Sequence, residues 1–205
     1  MSTPGNDCAA LGRLVLDLQW THMPIQIGQK PESDFAQPLG LLSDCHRRIE
    51  MFLGVLNRVA ADGKGRRLNP EQQAAFENAL RYFRDAAPKH TADEEQSLFP
   101  RLRSSQYSLA VTTLDSLTAL EADHAAAARD HDLVDSLGRK WIDSGLLSDG
   151  EYGALGEALH RLSAMYAHHI VVEDSELFPL AARVLRPEEL ASIGEEMAAR
   201  RTPGR

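Results

Sequence analysis

Cysteine is scarce in this 205-residue chain, which holds only Cys8 and Cys45. Two thiols cannot build a disulfide framework or a four-thiolate metal site. Aromatic residues make up 6%, and 22 Lys and Arg stand against 30 Asp and Glu, for a net charge of −8. That balance argues against a nucleic-acid binder, which carries a basic patch or stripe, and against docking on anionic membranes. No apolar run approaches the roughly 18 residues of a membrane span. The N-terminus lacks a charged-then-apolar leader, so a cytoplasmic protein is expected, with neither nucleic acid nor membrane as partner. Convincing strand alternation is missing too. What the chain does have is a 43% hydrophobic share, enough for a sizeable core, and eight histidines. Histidine is therefore the expected carrier of any chemistry.

Residues 1–36 read as an arm punctuated by Pro4, Gly5, Pro24, Gly28 and Pro31, with one short amphipathic piece over Leu11 to Trp20. Residues 37–205 read as one helical domain. The spacing predicts helix 1 from about Pro38 to Ala61, with an apolar stripe through Leu39, Leu42, His46, Ile49, Leu53 and Leu56. Helix 2 opens at Asn69-Pro70-Glu71-Gln72, where Asn69 and Gln72 can form a capping box. Its stripe reaches His90, Glu94 and Leu98, and Pro88 should kink it. Helix 3 covers about Leu109 to Ile142, helix 4 starts near Ser148-Asp149, and a short fifth helix follows Pro187. Four long helices with short turns predict an all-α, up-down-up-down four-helix bundle.

Two segments of the chain match without gaps: His90 to Pro100, and His169 to Pro179. Their shared pattern is H-x-x-x-E-[ED]-x-x-L-F-P. His46 precedes the first block and His124 the second by almost the same distance, so the chain reads as two copies of one helical hairpin. Residues four apart share a helix face, so His90 with Glu94, and His169 with Glu173, aim at one point. All six groups fall within apolar stripes. A buried carboxylate without a partner is costly, so buried charges are paired or bound to metal. Counting at about 1.5 Å per residue from each helix turn puts the four histidines at similar heights. Four imidazoles and two carboxylates exceed what one four-coordinate zinc uses, and a pair of iron or manganese ions sharing carboxylates suits them better.

This H…HxxxE…H…HxxxE pattern, with acidic residues and LFP after each HxxxE, resembles the hemerythrin-like (HHE cation-binding) family over about residues 38–185. The resemblance implies a four-helix bundle around two non-haem iron ions, oxo- or hydroxo-bridged, with iron favoured over manganese or zinc. By motif position it implies His46, His90, His124 and His169 as terminal ligands and Glu94 and Glu173 as bridges. Oxygen-carrying members place a fifth histidine four residues after the third-helix histidine, where this chain has Ala128. That departure implies an open or water-filled position on one iron, which favours reaction with O2, peroxide or NO over simple reversible carriage. Proteins that repair damaged iron centres share the four-His, two-Glu core and add a cysteine-bearing N-terminal domain, whereas residues 1–36 offer only Cys8. The function expected is binding or sensing of O2 or a related small oxidant. The alternative is a di-iron enzyme or iron-handling protein acting on peroxide or NO, or in repair of iron centres.

Blander roles are expected for the neighbours. His168 competes with His169 for ligation, but the gapless repeat selects His169. His131, one heptad past His124, is expected to line a cavity, while His22 and His160 are expected at the surface. Glu121 and Glu50 read as solvated acids that could orient a histidine. Tyr166 and Cys45 read as core, and Phe99-Pro100 and Phe178-Pro179 as packing at bending helix ends.

Overall fold

The computed structural model describes residues 33–105 and 111–202, and every regular element among them is helical. The short piece over Leu11 to Trp20, together with Cys8 and His22, lies outside the described residues. Helix α1 spans Pro38–Gly63. A second rod runs through α2 (Pro70–Asp85), α3 (Ala87–Asp93), a π turn π1 (Glu94–Leu98) and α4 (Phe99–Arg103). The third is α5, Val111–Ser144. The fourth joins α6 (Asp149–Val172), a π turn π2 (Glu173–Leu177) and α7 (Phe178–Val184). Helix α8, Pro187–Arg201, follows. Each rod packs on two neighbours, α1 on α2 and α6, and α5 on α2 and α6, which closes the four into a bundle.

Local chemistry sets the ends. Asn69 Oδ1 accepts from the Gln72 N–H at 2.8 Å, and Gln72 Oε1 accepts from the Asn69 N–H at 3.1 Å, the capping box expected from sequence. Ser148 and Glu151 form a second box at the start of α6. The expected kink falls at Ala86, one residue before α3, where Pro88 sits in the first turn and its missing N–H costs nothing.

The apolar interior comes in two parts. One cluster holds Ile49, Leu56, Phe76, Phe83, Val134, Trp141 and Leu162. The other holds Leu42, Leu98, Phe99, Leu117, Leu177, Phe178 and Ile193. On three rods the change from one cluster to the other happens across a histidine, between Leu42 and Ile49 on α1, Ala87 and Leu98 on the second rod, and Leu120 and Ala127 on α5; on the fourth it falls just past His169, between Ile170 and Leu177, across Glu173. The polar groups thus occupy one layer sandwiched between two dry ones.

Helix α8 lies against α1 and α3 and is held by charge. Asp93 is fully buried and receives Arg200 at 2.9 Å and Arg201 at 2.5 Å. Glu196 pairs with Arg101 at 2.6 Å. Gly194 is fixed by close approach, because a Cβ there would run into the Phe35 carbonyl.

Candidate metal centre

The structure brings His46, His90, Glu94, His124, His169 and Glu173 together in that polar layer, and all six are buried. Their nitrogens and oxygens form two groups of potential metal ligands, each within 4.8 Å: His46, His90, Glu94 and Glu173; and His124, His169, Glu94 and Glu173. The two carboxylates belong to both groups. Glu94 Oε1 stands 3.4 Å from His90 Nε2 and 3.8 Å from His46 Nε2, while its Oε2 stands 3.3 Å from His124 Nε2. Glu173 Oε2 stands 3.1 Å from His46 Nε2 and 3.2 Å from His169 Nε2.

Close approach here does not mean hydrogen bonding. His46 Nε2, His169 Nε2 and all four carboxylate oxygens of Glu94 and Glu173 are buried without a hydrogen-bond partner. Orphaned buried polar atoms are expensive and rare. Two ligands bound about 2.1 Å from one ion at right angles lie about 3 Å apart, the scale of these contacts. The donor set therefore fits cations placed among it: two imidazoles and two shared carboxylates for each of two positions.

The outer faces of the histidines are held in a crosswise pattern. His46 Nδ1 donates to Asp174 Oδ1 at 3.0 Å, and His124 Nδ1 donates to Glu95 Oε1 at 2.9 Å. Asp174 and Glu95 are the acids that follow the shared glutamate in each repeat, and each serves the histidine of the other repeat. The phenylalanines do likewise: Phe178 stacks on His46 at 5.4 Å, and Phe99 on His124 at 6.2 Å. His169 Nδ1 donates to Asp123 Oδ2 at 3.3 Å. A carboxylate on Nδ1 fixes the tautomer and leaves the Nε2 lone pair free for a metal. Glu95 and Asp174 were visible in the repeat and Asp123 was not, and only the packing of the helices gives the three this role.

One histidine breaks the pattern. His90 Nδ1 has no carboxylate partner. The position matching Asp123 in the first repeat is Cys45, whose thiol neighbours His90 and lies 3.1 Å from Arg48 Nη2. Burial pushes the Cys45 thiol up, but His90 and Arg48 outweigh it and hold it below the ordinary thiol value.

Both π turns begin at the shared glutamates. The Phe99 N–H donates to the Glu94 carbonyl and the Phe178 N–H to the Glu173 carbonyl, five residues back in each case. Pro100 and Pro179, the next residues, have no N–H to place in an α-helical ladder. The widened turn lets consecutive acids work in one layer, Glu94 inward and Glu95 onto His124. Sequence reading missed the π turns; the proline six residues after each glutamate was their signal.

The electrostatics suit a cation. Burial works against charge on His46, but Asp174, Glu173 and Glu94 outweigh it and push the imidazole up to about 12. Burial likewise opposes charge on His124, and Glu94 and Glu95 push it up to about 9. For Glu94, burial acts upward and is outweighed by His90, His124 and His46, which hold the carboxyl well below the usual range. Without a metal the layer retains protons, and a bound cation must displace them.

The neighbours divide as follows. His168 and His160 are exposed and take no part in the cluster, and Glu50 faces solvent away from His46. Glu121 pairs with Arg103 at 2.7 Å instead of orienting a histidine. His131 is outside both ligand groups; its Nε2 lies 3.0 Å from the Tyr166 hydroxyl, and its ring stacks on Phe83 at 4.3 Å. Burial pushes His131 down to about 4. The unfolded chain protonates this imidazole below about pH 6.5, whereas the folded chain resists until about pH 4. Its neutral burial therefore costs stability as pH falls through that window, about 2 kcal/mol at pH 5. Between pH 7 and pH 5, His131→Phe should lose less of its urea-unfolding free energy than the parent chain; equal losses would contradict the assignment.

A family model, the Hemerythrin HHE cation binding domain, matches residues 37–181. A protein of Haemophilus influenzae described as uncharacterized is 27% identical over 165 residues, which cover 80% of this chain and 90% of that protein. With the helical bundle and the buried His and Glu cluster, the match shows that this chain belongs to the hemerythrin HHE cation-binding domain family.

Proposed function

We propose that the protein holds two non-haem iron ions and binds or senses O2 or a related small oxidant. The observation that carries this is the pair of four-ligand groups sharing Glu94 and Glu173. His46 and His90 would complete one position, and His124 and His169 the other. A four-coordinate zinc site closed by its own ligands would not share carboxylates in this way. When bound, the pair supplies redox and Lewis-acid chemistry toward a small ligand. The chain's own residues bind and orient it: Asp174, Glu95 and Asp123 fix three imidazoles, and the two apolar clusters keep bulk water away.

A cavity beside His124, with Ala128 on its wall, favours a second reading, in which the centre turns over peroxide or NO or handles iron. Ala128 is where oxygen carriers of the family have a further histidine, so space stands where a ligand would. We place the protein in the cytoplasm, supported by its acidic balance and by the lack, among the described residues, of a helix long and apolar enough to cross a membrane.

The test is anaerobic reconstitution with ferrous iron followed by exposure to O2. About two irons per chain and a visible absorption that reverses on removing O2 are expected. Rapid repeated consumption of peroxide or NO with no stable adduct would select the second reading. Fewer than about one iron per chain would end both.

A further inference from the structure

The two ligand groups have the same make-up, two imidazoles and the two shared carboxylates, but they are not supported alike. Three of the four histidines give Nδ1 to a carboxylate: His46 to Asp174 at 3.0 Å, His124 to Glu95 at 2.9 Å and His169 to Asp123 at 3.3 Å. His90 Nδ1 is buried and has no hydrogen-bond partner. Both histidines of the His124–His169 group are therefore braced, and only one of the His46–His90 group is.

The difference has a cause in the sequence. Asp123 directly precedes His124 on α5 and braces His169. Cys45 directly precedes His46 on α1 and stands beside His90, the equivalent of His169 in the first repeat. The thiol is in the right place with the wrong chemistry. Sulfur is a weak acceptor. This one is also taken up by cations, with Arg48 Nη2 at 3.1 Å and the Arg201 guanidinium beside it. Cys45 belongs to neither ligand group, so it does not stand in as a ligand. An outer carboxylate orients a ligating imidazole, fixes its tautomer and raises its basicity, and losing one costs roughly 10- to 100-fold in metal affinity.

We propose that the two positions bind metal unequally: with cysteine rather than aspartate behind His90, the His46–His90 position is the weaker, filled second and emptied first. This rests on reading the six-residue cluster as a metal centre. At limiting metal the chain holds one ion, on His124, His169 and the shared glutamates. Asp123 is then a positioning residue for the tighter position, and Cys45 marks the place where the weaker one lacks its counterpart.

Cobalt(II) is the probe, titrated anaerobically into the metal-free full chain and followed by visible absorption, with circular dichroism to check each variant's fold. The parent should take up two ions in steps at least about tenfold apart. Repulsion between neighbouring cations also separates such steps, so the exchanges between halves decide. Cys45→Asp should tighten the weaker step by roughly 10- to 100-fold and leave the tighter one in place. Its new carboxylate stays paired, because Arg48 and Arg201 already face that position. Asp123→Cys should weaken the tighter step by a similar factor, and that side chain is partly exposed, so the fold tolerates the change. Cys45→Ala should match the parent, since the thiol braces nothing. The proposal alone is overturned if cobalt binds but neither exchange moves its step, if Cys45→Asp moves the tighter step instead, or if Cys45→Ala weakens binding as much as Asp123→Cys does. No cobalt uptake by the parent or any variant overturns the metal reading, and the proposal with it.

Discussion

Replacing Glu94 by glutamine is expected to strip both cations from the protein, whereas replacing His90 by alanine should leave about one. Glu94 spans the two ligand groups, one oxygen toward His46 and His90 and the other toward His124. Glutamine keeps the shape but loses the charge and turns one oxygen into an NH2 donor, whose hydrogens would face a cation. Both positions then lose an anionic ligand at once. His90 belongs to the first group only, so its loss leaves the His124, His169 and Glu173 side intact. Removing an outer partner is milder: Asp174→Asn should cost roughly 10- to 100-fold in affinity while preserving stoichiometry. The measurement is metal per chain after ferrous reconstitution and desalting, with circular dichroism to check that the bundle persists. Two ions retained by Glu94→Gln would refute the sharing, and Glu173→Gln provides the same test from the other hairpin.

Chelation should lower the melting temperature by about 10–15 °C. A ligand present at about 1,000 times its Kd stabilises a fold by about 4 kcal/mol. For a domain of this size each kcal/mol moves the melting point by roughly 2–4 °C. The gap between loaded and metal-free protein should also widen as pH rises from about 6.5 to about 8.5. In the metal-free chain His124 titrates near 9 and His46 near 12, both above the ordinary histidine value. The stability their charged forms contribute is fully present below about pH 6.5 and is lost as pH rises through those values. The loaded form has already given up those protons, so it escapes the loss. Thermal melts with and without chelator at the two pH values check this; a gap that shrinks with pH would contradict it.

How much of this was legible in the chain depends on the range of each interaction. HxxxE is a one-turn relation within a single helix, so its convergence could be read from spacing alone. The capping box at Asn69 is equally local. The coincidence of ligand positions with the apolar stripe showed that the six groups face inward. Crosswise support was not legible, because Asp174 reaches His46 across 128 residues and Glu95 reaches His124 across 29. Asp93 would pass for a surface acid by sequence, yet it is buried beneath the arginines of α8. The Tyr166–His131 bond likewise exists only once α5 and α6 are side by side. Glu50 was legible as a solvated acid and is exposed on α1, so the orienting role that its i and i+4 spacing to His46 also allowed is not taken up.

The crosswise bonding makes each half of the chain depend on the other. Neither hairpin holds its own leading histidine: the acid and the aromatic ring that steady His46 arrive from the second half of the chain, and those that steady His124 from the first. A single hairpin on its own would therefore leave its leading histidine without acid or ring, and the two halves must meet before either can hold its ligands. The halves are not interchangeable, since cysteine stands at position 45 where the other half has aspartate at 123.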